Sequence, residues 1–233
     1  LKKAIQSVIQ QSFSDWELII IDDGSTDNTK DIIQSFDDER INYFYQENAE
    51  RSAARNNGIE HAKGDWICFL DSDDEYLPNH LEVIEKKIKS EELSSGMICT
   101  GLLRKNNEIV EHPLLDMDAQ NILTEIWTKF LIPTQVCIHN SILKKEQFDI
   151  RFRIWEDTHL FLRIASQTLV HIINEYTCVQ NLHDQSTVSE NFADVKLVTV
   201  DQYVQAIDDL RNHDYVSEYL SDKDFVDYAD SKY

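Results

Sequence analysis

Apolar positions along the chain follow two rhythms. Ala4, Ile5, Val8 and Ile9 recur at helical spacing and predict an amphipathic helix. Leu18-Ile19-Ile20-Ile21 is a continuous apolar run that stops abruptly at Asp22-Asp23-Gly24-Ser25-Thr26-Asp27, as a buried parallel strand entering a turn would. Ser25 or Asp27 can cap a following helix with Ile32, Ile33 and Phe36 on its apolar face. Residues 41–45 read as a second strand, and 52–63 as a helix that Gly64 ends. Trp66-Ile67-Cys68-Phe69-Leu70 is another buried strand, closed by Asp71-Ser72-Asp73-Asp74. Pro78 then starts a helix with Leu81, Ile84 and Ile88 on one face.

Such alternation of helix and strand marks βαβ units and a parallel sheet. The acids at 22, 23, 71 and 73 all follow strand C-termini, the edge at which open α/β sheets bind ligands. After Glu91 the pattern changes. Residues 97–103 and 109–112 predict antiparallel strands around an Asn106-Asn107 turn. A helix is expected over 121–131, with Ile122, Ile126, Trp127 and Phe130 apolar, and a short strand over 135–139. Trp155-Glu156-Asp157 precedes a helix carrying Leu160, Phe161 and Ile164; a strand over 169–179 leads into a polar loop with His183. From about Ala193 the chain turns helical and acidic, as a packed appendage or a docking helix.

Composition narrows the function. A 42% hydrophobic share with ten Phe in 233 residues supports a real core, and there is no internal repeat. The net charge of -21, from 43 acids against 22 bases, repels phosphate backbones and argues against nucleic acid as a partner. Anionic lipid is repelled too, although a local basic patch is compatible with peripheral contact with a membrane. No apolar run approaches the roughly 20 residues of a membrane span. Cys68, Cys99, Cys137 and Cys178 show no ligand spacing and read as buried thiols of a reducing, cytoplasmic compartment.

The strand-end acids carry the candidate chemistry. Asp71 and Asp73, one residue apart, can share a hard divalent cation such as Mn²⁺ or Mg²⁺, although Asp and Ser also suit a plain turn. Asp71, Asp73, Glu75 and Glu82 mimic an EF-hand spacing, but Tyr76 stands where that loop needs Gly, which excludes it. Asp22 or Asp23 can accept from a base N–H or a ribose hydroxyl, or simply form a turn. Arg55 can pair with a nucleotide or with Glu50 or Glu60. Glu156 and Asp157 can include a general base, or be first-turn acids favoured by the helix dipole. His183 can bind metal or diphosphate, or be an exposed loop histidine.

Taken together, residues 4–13, Glu17 to Asp27, Ala53-Ala54-Arg55-Asn56-Asn57-Gly58-Ile59 and Ala62 to Asp74 resemble the inverting glycosyltransferases of family 2. The likeness is dense over residues 1 to about 90 and continues in Trp155-Glu156-Asp157 and the His183 loop. It implies a GT-A fold: a Rossmann-like, mostly parallel sheet flanked by helices, with a smaller antiparallel portion and a helical C-terminal tail. It implies a nucleotide-sugar-binding half over 1–95, an acceptor-binding and catalytic half over 96–190 and a tail over 191–233. Asp22, Asp23, Ser52, Arg55, Asp71 and Ser72 then belong to the nucleotide-sugar pocket, Asp23 meeting uracil. Asp73 is the principal metal ligand of a DXD motif, with Asp71 and His183 beside it. Asp157 is the catalytic base, with Glu156 adjacent. The implied reaction moves a sugar from a UDP-sugar to a saccharide or glycolipid acceptor, in polysaccharide or glycoconjugate synthesis, in the cytoplasm or at the inner membrane face. Members begin with an apolar strand ending in Pro-x-Tyr-Asn; this sequence starts at the helix that follows, so the natural polypeptide is expected to extend upstream. A nucleotidyltransferase would want a Gly-rich, basic phosphate loop, which these residues lack. A non-catalytic sugar-nucleotide-binding module would have no use for Glu156-Asp157.

Overall fold

The computed structural model describes residues 1–106, 108–116, 121–182, 197–221 and 223–224. Helix α1 (Lys2–Ile9) buries Ala4, Ile5 and Val8, the stripe its spacing predicts. Strand β1 (Leu18–Asp23) pairs in parallel with β2 (Ile41–Gln46), from Leu18 opposite Ile41 to Asp23 opposite Gln46. Helix α2 (Thr29–Gln34) connects them. Next come α3 (Glu50–His61), β3 (Trp66–Cys68), the two-residue strand β4 (Glu75–Tyr76) and α4 (His80–Ser90).

The second half contributes β5 (Met97–Lys105), β6 (Ile109–Glu111), α5 (Ile122–Lys129), β7 (Val136–His139), α6 (Asn140–Leu143), α7 (Glu156–Ala165), β8 (Val170–Asn181) and α8 (Leu197–Arg211). The expected hairpin is present: β5 and β6 are antiparallel, with Lys105 opposite Ile109. Helix α5 starts where Asn121 Oδ1 accepts from the Leu123 N–H at 3.0 Å. One sheet runs β3-β7-β5-β8-β4, with β6 added to β5. Within it β5 and β8 are parallel, and the other pairings are antiparallel. Because β3 belongs to this sheet, the two halves of the sequence share one scaffold.

Successive residues of β5 serve opposite faces. Met97 and Cys99 join the main core with Trp127 of α5 and Leu160 and Phe161 of α7, whereas Ile98 packs with Ile84 of α4. Ile207 and Leu210 place α8 in the main core, so this part of the tail is a packed appendage. Cys99, Cys137 and Cys178 are buried free thiols, as expected, while Cys68 is half-buried.

One expectation is corrected. Leu18 to Ile21 and Trp66 to Cys68 were expected to be fully buried strands; both runs are only half-buried. No ladder joins β1–β2 to the larger sheet among the described residues. A cavity of about 750 Å³ lies along both strands, lined by Leu18, Ile19 and Ile21 on one side and Ile67 and Phe69 on the other, with Ile59 of α3.

Helix α7 is fastened to α8 by His159, which is 1% exposed and whose Nε2 lies 2.9 Å from Asp209 Oδ2. His159 Nδ1 is buried and has no partner. That suits the neutral ring, with its one N–H donated to Asp209; a charged ring would bury an unmet N–H. Burial, with Arg163 nearby, pulls the His159 pKa down to about 4 against the opposing pull of Asp209. Since the folded value lies below the unfolded one of about 6.5, the unfolded chain takes the proton first as pH falls. The stability contribution is therefore intact above pH ~6.5 and lost between ~6.5 and ~4, by about 3 kcal/mol. Urea unfolding of wild type and His159→Gln at several pH values across that window should show a shallower acid loss in the variant; parallel losses would refute the assignment.

Candidate active site

The turn after β1 is fixed from within. Asp22 is 5% exposed; its Oδ1 accepts the Ser25 N–H at 2.8 Å and its Oδ2 the Tyr43 hydroxyl at 2.8 Å. Burial would raise its pKa, but those hydrogen bonds outweigh it and hold the group below the ordinary carboxylate range. Asp23 Oδ1 accepts from Gln46 Nε2 at 2.7 Å and from the Ala49 N–H at 2.8 Å. Gly24 has φ +79°, and a Cβ there would stand 2.8 Å from the Asn48 nitrogen, so this close turn needs glycine. Asp23 is thus held at the mouth of the β1–β2 edge.

The turn after β3 is pinned by its last acid. Asp74 is 3% exposed, and its carboxylate accepts from Thr134 Oγ1 at 2.8 Å and the Asn181 N–H at 3.2 Å. Burial pushes its pKa up to about 7. Asn181, at the end of β8, also donates to the Asp73 carbonyl at 2.7 Å. Ser72 and Asp73 stay exposed on this anchored loop, and the Asp71 side chain is 40% exposed. Sequence reasoning singled out Asp71, Ser72 and Asp73 but assigned no role to Asp74 or Asn181. The signal available was a third acid within four residues, Asp74, which a solvent-facing turn does not need.

Across from this loop, α7 begins at Glu156, where the sequence placed its start. Its N-cap Trp155 has φ 66°, an uncommon left-handed conformation for an aromatic residue. The Trp155 ring packs 5.1 Å from Phe130 and 6.1 Å from Trp127, which holds that conformation. Glu156 is 2% exposed, and Asp157 is half-buried with its Oδ1 accepting the Thr158 N–H at 2.7 Å. Burial and the neighbouring Asp157 push the Glu156 pKa up to about 7, against Arg55 and Arg51. Burial likewise raises that of Asp157, against Arg55.

Arg55 joins the two sides. Nη1 donates to Glu156 Oε1 at 2.9 Å and Nη2 to Asp71 Oδ1 at 2.9 Å. Of the two readings of Arg55, the surface pairing with Glu50 or Glu60 gives way to these longer-range partners. Ser52 is 1% exposed and donates to the Phe152 carbonyl at 3.1 Å, bracing α3 against the segment before α7. The structure therefore brings Arg55, Asp71, Glu156 and Asp157 together; Asp22, Asp23 and Ser52 are held by their own local networks. His183 lies outside the described residues.

Hard carboxylate oxygens at an exposed strand end suit a divalent cation, and Asp71 and Asp73 supply them. A different cluster, Asp149, His159 and Asp209, brings three ligand-type atoms within 4.8 Å of one another. There Arg151 already pairs with both Asp149 and Asp209, so the protein supplies its own countercharge.

With strand-end acids facing a helix that opens on Glu156 and Asp157, the fold is that of the GT-A glycosyltransferases. Residues 1–145 match the family described as Glycosyl transferase family 2, and the chain belongs to that family. It is 29% identical over 208 residues to the UDP-Glc:alpha-D-GlcNAc-diphosphoundecaprenol beta-1,3-glucosyltransferase WfgD of Escherichia coli, covering 82% of this chain and 75% of that protein. It is 42% identical over 91 residues to the GalNAc(5)-diNAcBac-PP-undecaprenol beta-1,3-glucosyltransferase of Campylobacter jejuni, covering 37% of this chain but 29% of that one. The fold is similar to TarS of S. aureus in complex with UDP-GlcNAc, with TM-score 0.74 at 16% identity over 97% of this chain and 66% of the other. Among the described residues no helix is long and apolar enough to cross a membrane.

Proposed function

We propose that this chain transfers a sugar from a nucleoside-diphosphate donor, a UDP-sugar, to a hydroxyl of a saccharide or glycolipid acceptor, with inversion at the anomeric carbon. The observation that carries the reading is the carboxylate pair that opens α7: Asp157 stands next to Glu156, and Arg55 links Glu156 to the strand-end Asp71. Relatives and structural neighbours whose names include UDP-Glc, UDP-GlcNAc and diphosphoundecaprenol support the donor and acceptor classes.

Asp157 takes the proton from the acceptor hydroxyl. Burial raises its proton affinity, which suits a base working near neutral pH. The freed oxygen attacks the anomeric carbon from the face opposite the diphosphate, which inverts the configuration. Asp73 and Asp71 would hold a divalent cation, Mn²⁺ or Mg²⁺, which neutralises negative charge on the departing diphosphate when bound. Asp23, at the β1 edge, serves the nucleotide. Residues before β5 form the donor half, and the acceptor meets residues of the 96–190 region. A lipid-linked acceptor would place the work at the cytoplasmic face of the membrane.

Incubating the protein with UDP-glucose or UDP-GlcNAc, Mn²⁺ and a diphospholipid-linked saccharide tests this reading. Acceptor-dependent UDP release with an inverted product is expected. Pyrophosphate release from UTP and a sugar phosphate, or UDP binding with no turnover of any donor, would sink it.

A further inference from the structure

The sequence groups Arg55 with the nucleotide pocket, yet its guanidinium is already spent. One nitrogen is on Glu156 and another on Asp71, each at 2.9 Å. Its carbon lies over the Phe148 ring, 5.2 Å from the centroid, and Phe148 packs edge-on against Phe69 just before Asp71. Only 13% of the side chain is exposed. Turning this fork toward a diphosphate would leave Glu156, 2% exposed, as a buried charge without its closest cation. Arg51, one helical turn earlier, does not replace it: its side chain is 46% exposed and its Nη1 is 3.7 Å from Glu156 Oε1.

We propose that Arg55 is a positioning residue, a planar clamp that ties the donor-side Asp71 to Glu156 and so fixes where Asp157 stands relative to the donor. The rate consequence rests on the glycosyltransferase reading above; the clamp itself rests on geometry alone. Two carboxylates on different elements need a rigid two-edged donor, and a lysine ammonium cannot reproduce that fork. The clamp fixes α3, the β3 turn and the first turn of α7 as one unit.

Arg55→Lys keeps a buried cation and is the main test; Arg55→Gln is the second. kcat should fall about 10-fold in Arg55→Lys and about 30-fold in Arg55→Gln, because a misplaced base is costly. UDP affinity in Mn²⁺, by calorimetry, should stay within about threefold, since a clamp is not a ligand. Amide hydrogen exchange over 152–160 should speed up in Arg55→Lys while 97–103 stays protected, a readout that needs no donor. Unchanged exchange over 152–160 overturns the clamp, and so does a tenfold loss of UDP affinity with kcat preserved. Failure of the wild type to bind UDP would instead strike the functional reading and leave the exchange result to judge the clamp.

Discussion

Asp157→Asn should lower turnover about a thousandfold while UDP binding stays within about twofold of wild type. The substitution removes a base and little else. An amide oxygen still accepts the Thr158 N–H that Asp157 Oδ1 now accepts at 2.7 Å, so the start of α7 keeps its bond. It also deletes a negative charge beside Glu156, which relieves a repulsion that raises the Glu156 pKa. The loss therefore belongs to proton removal and not to collapse of the site. Glu156 cannot substitute readily, because Arg55 holds one of its oxygens and it is almost fully buried. Steady-state kinetics for turnover and calorimetry with UDP settle the point together. Retention of more than a tenth of the wild-type rate would remove Asp157 from its role.

Asp73→Asn should cost about a thousandfold in activity at fixed Mn²⁺, through lost charge neutralisation on the departing diphosphate. The loop would survive the change. Its anchors are the buried Asp74 carboxylate and the Asp73 carbonyl, which Asn181 holds at 2.7 Å, and neither is altered. UDP affinity should drop strongly with Mn²⁺ present and hardly at all in chelator. Asp71→Asn tests the ordering of the pair: Asp71 shares one oxygen with Arg55, so that variant disturbs the clamp as well as the cation. If Asp73→Asn bound UDP equally well with metal and with chelator, yet no better than wild type in chelator, the cation assignment stands. Undiminished metal-dependent binding would move the ligand role away from Asp73.

Much of this was legible in the chain because local rules decide it. The apolar stripe of α1, the acid-rich ends of β1 and β3, the β5–β6 hairpin and the start of α7 follow from periodicity and turn chemistry. What escaped depends on distant partners. Arg55 meets Glu156 from 101 positions away, and no local pattern names that pair. Ser52, which the resemblance groups with the nucleotide-sugar pocket, braces a carbonyl 100 positions on. Asp74 reads as one more turn acid until Thr134 and Asn181 bury it. The two-residue β4 carries too little sequence to show any alternation; its existence is decided by β8, which pairs Tyr76 with Cys178. The half-burial of β1 was equally hidden, because an apolar run looks the same whether both of its edges are paired or one.

The fastening of α8 to α7 has a bearing on how far the polypeptide can be shortened. Asp209 of α8 meets His159, three positions after Glu156, and Ile207 and Leu210 fill the same core as Leu160 and Phe161. Cutting the chain ahead of α8 would bare that apolar surface and take away the hydrogen bond of the buried His159 ring, so the first turn of α7 would loosen with it. In that sense α8 is part of the wall behind Glu156 and Asp157.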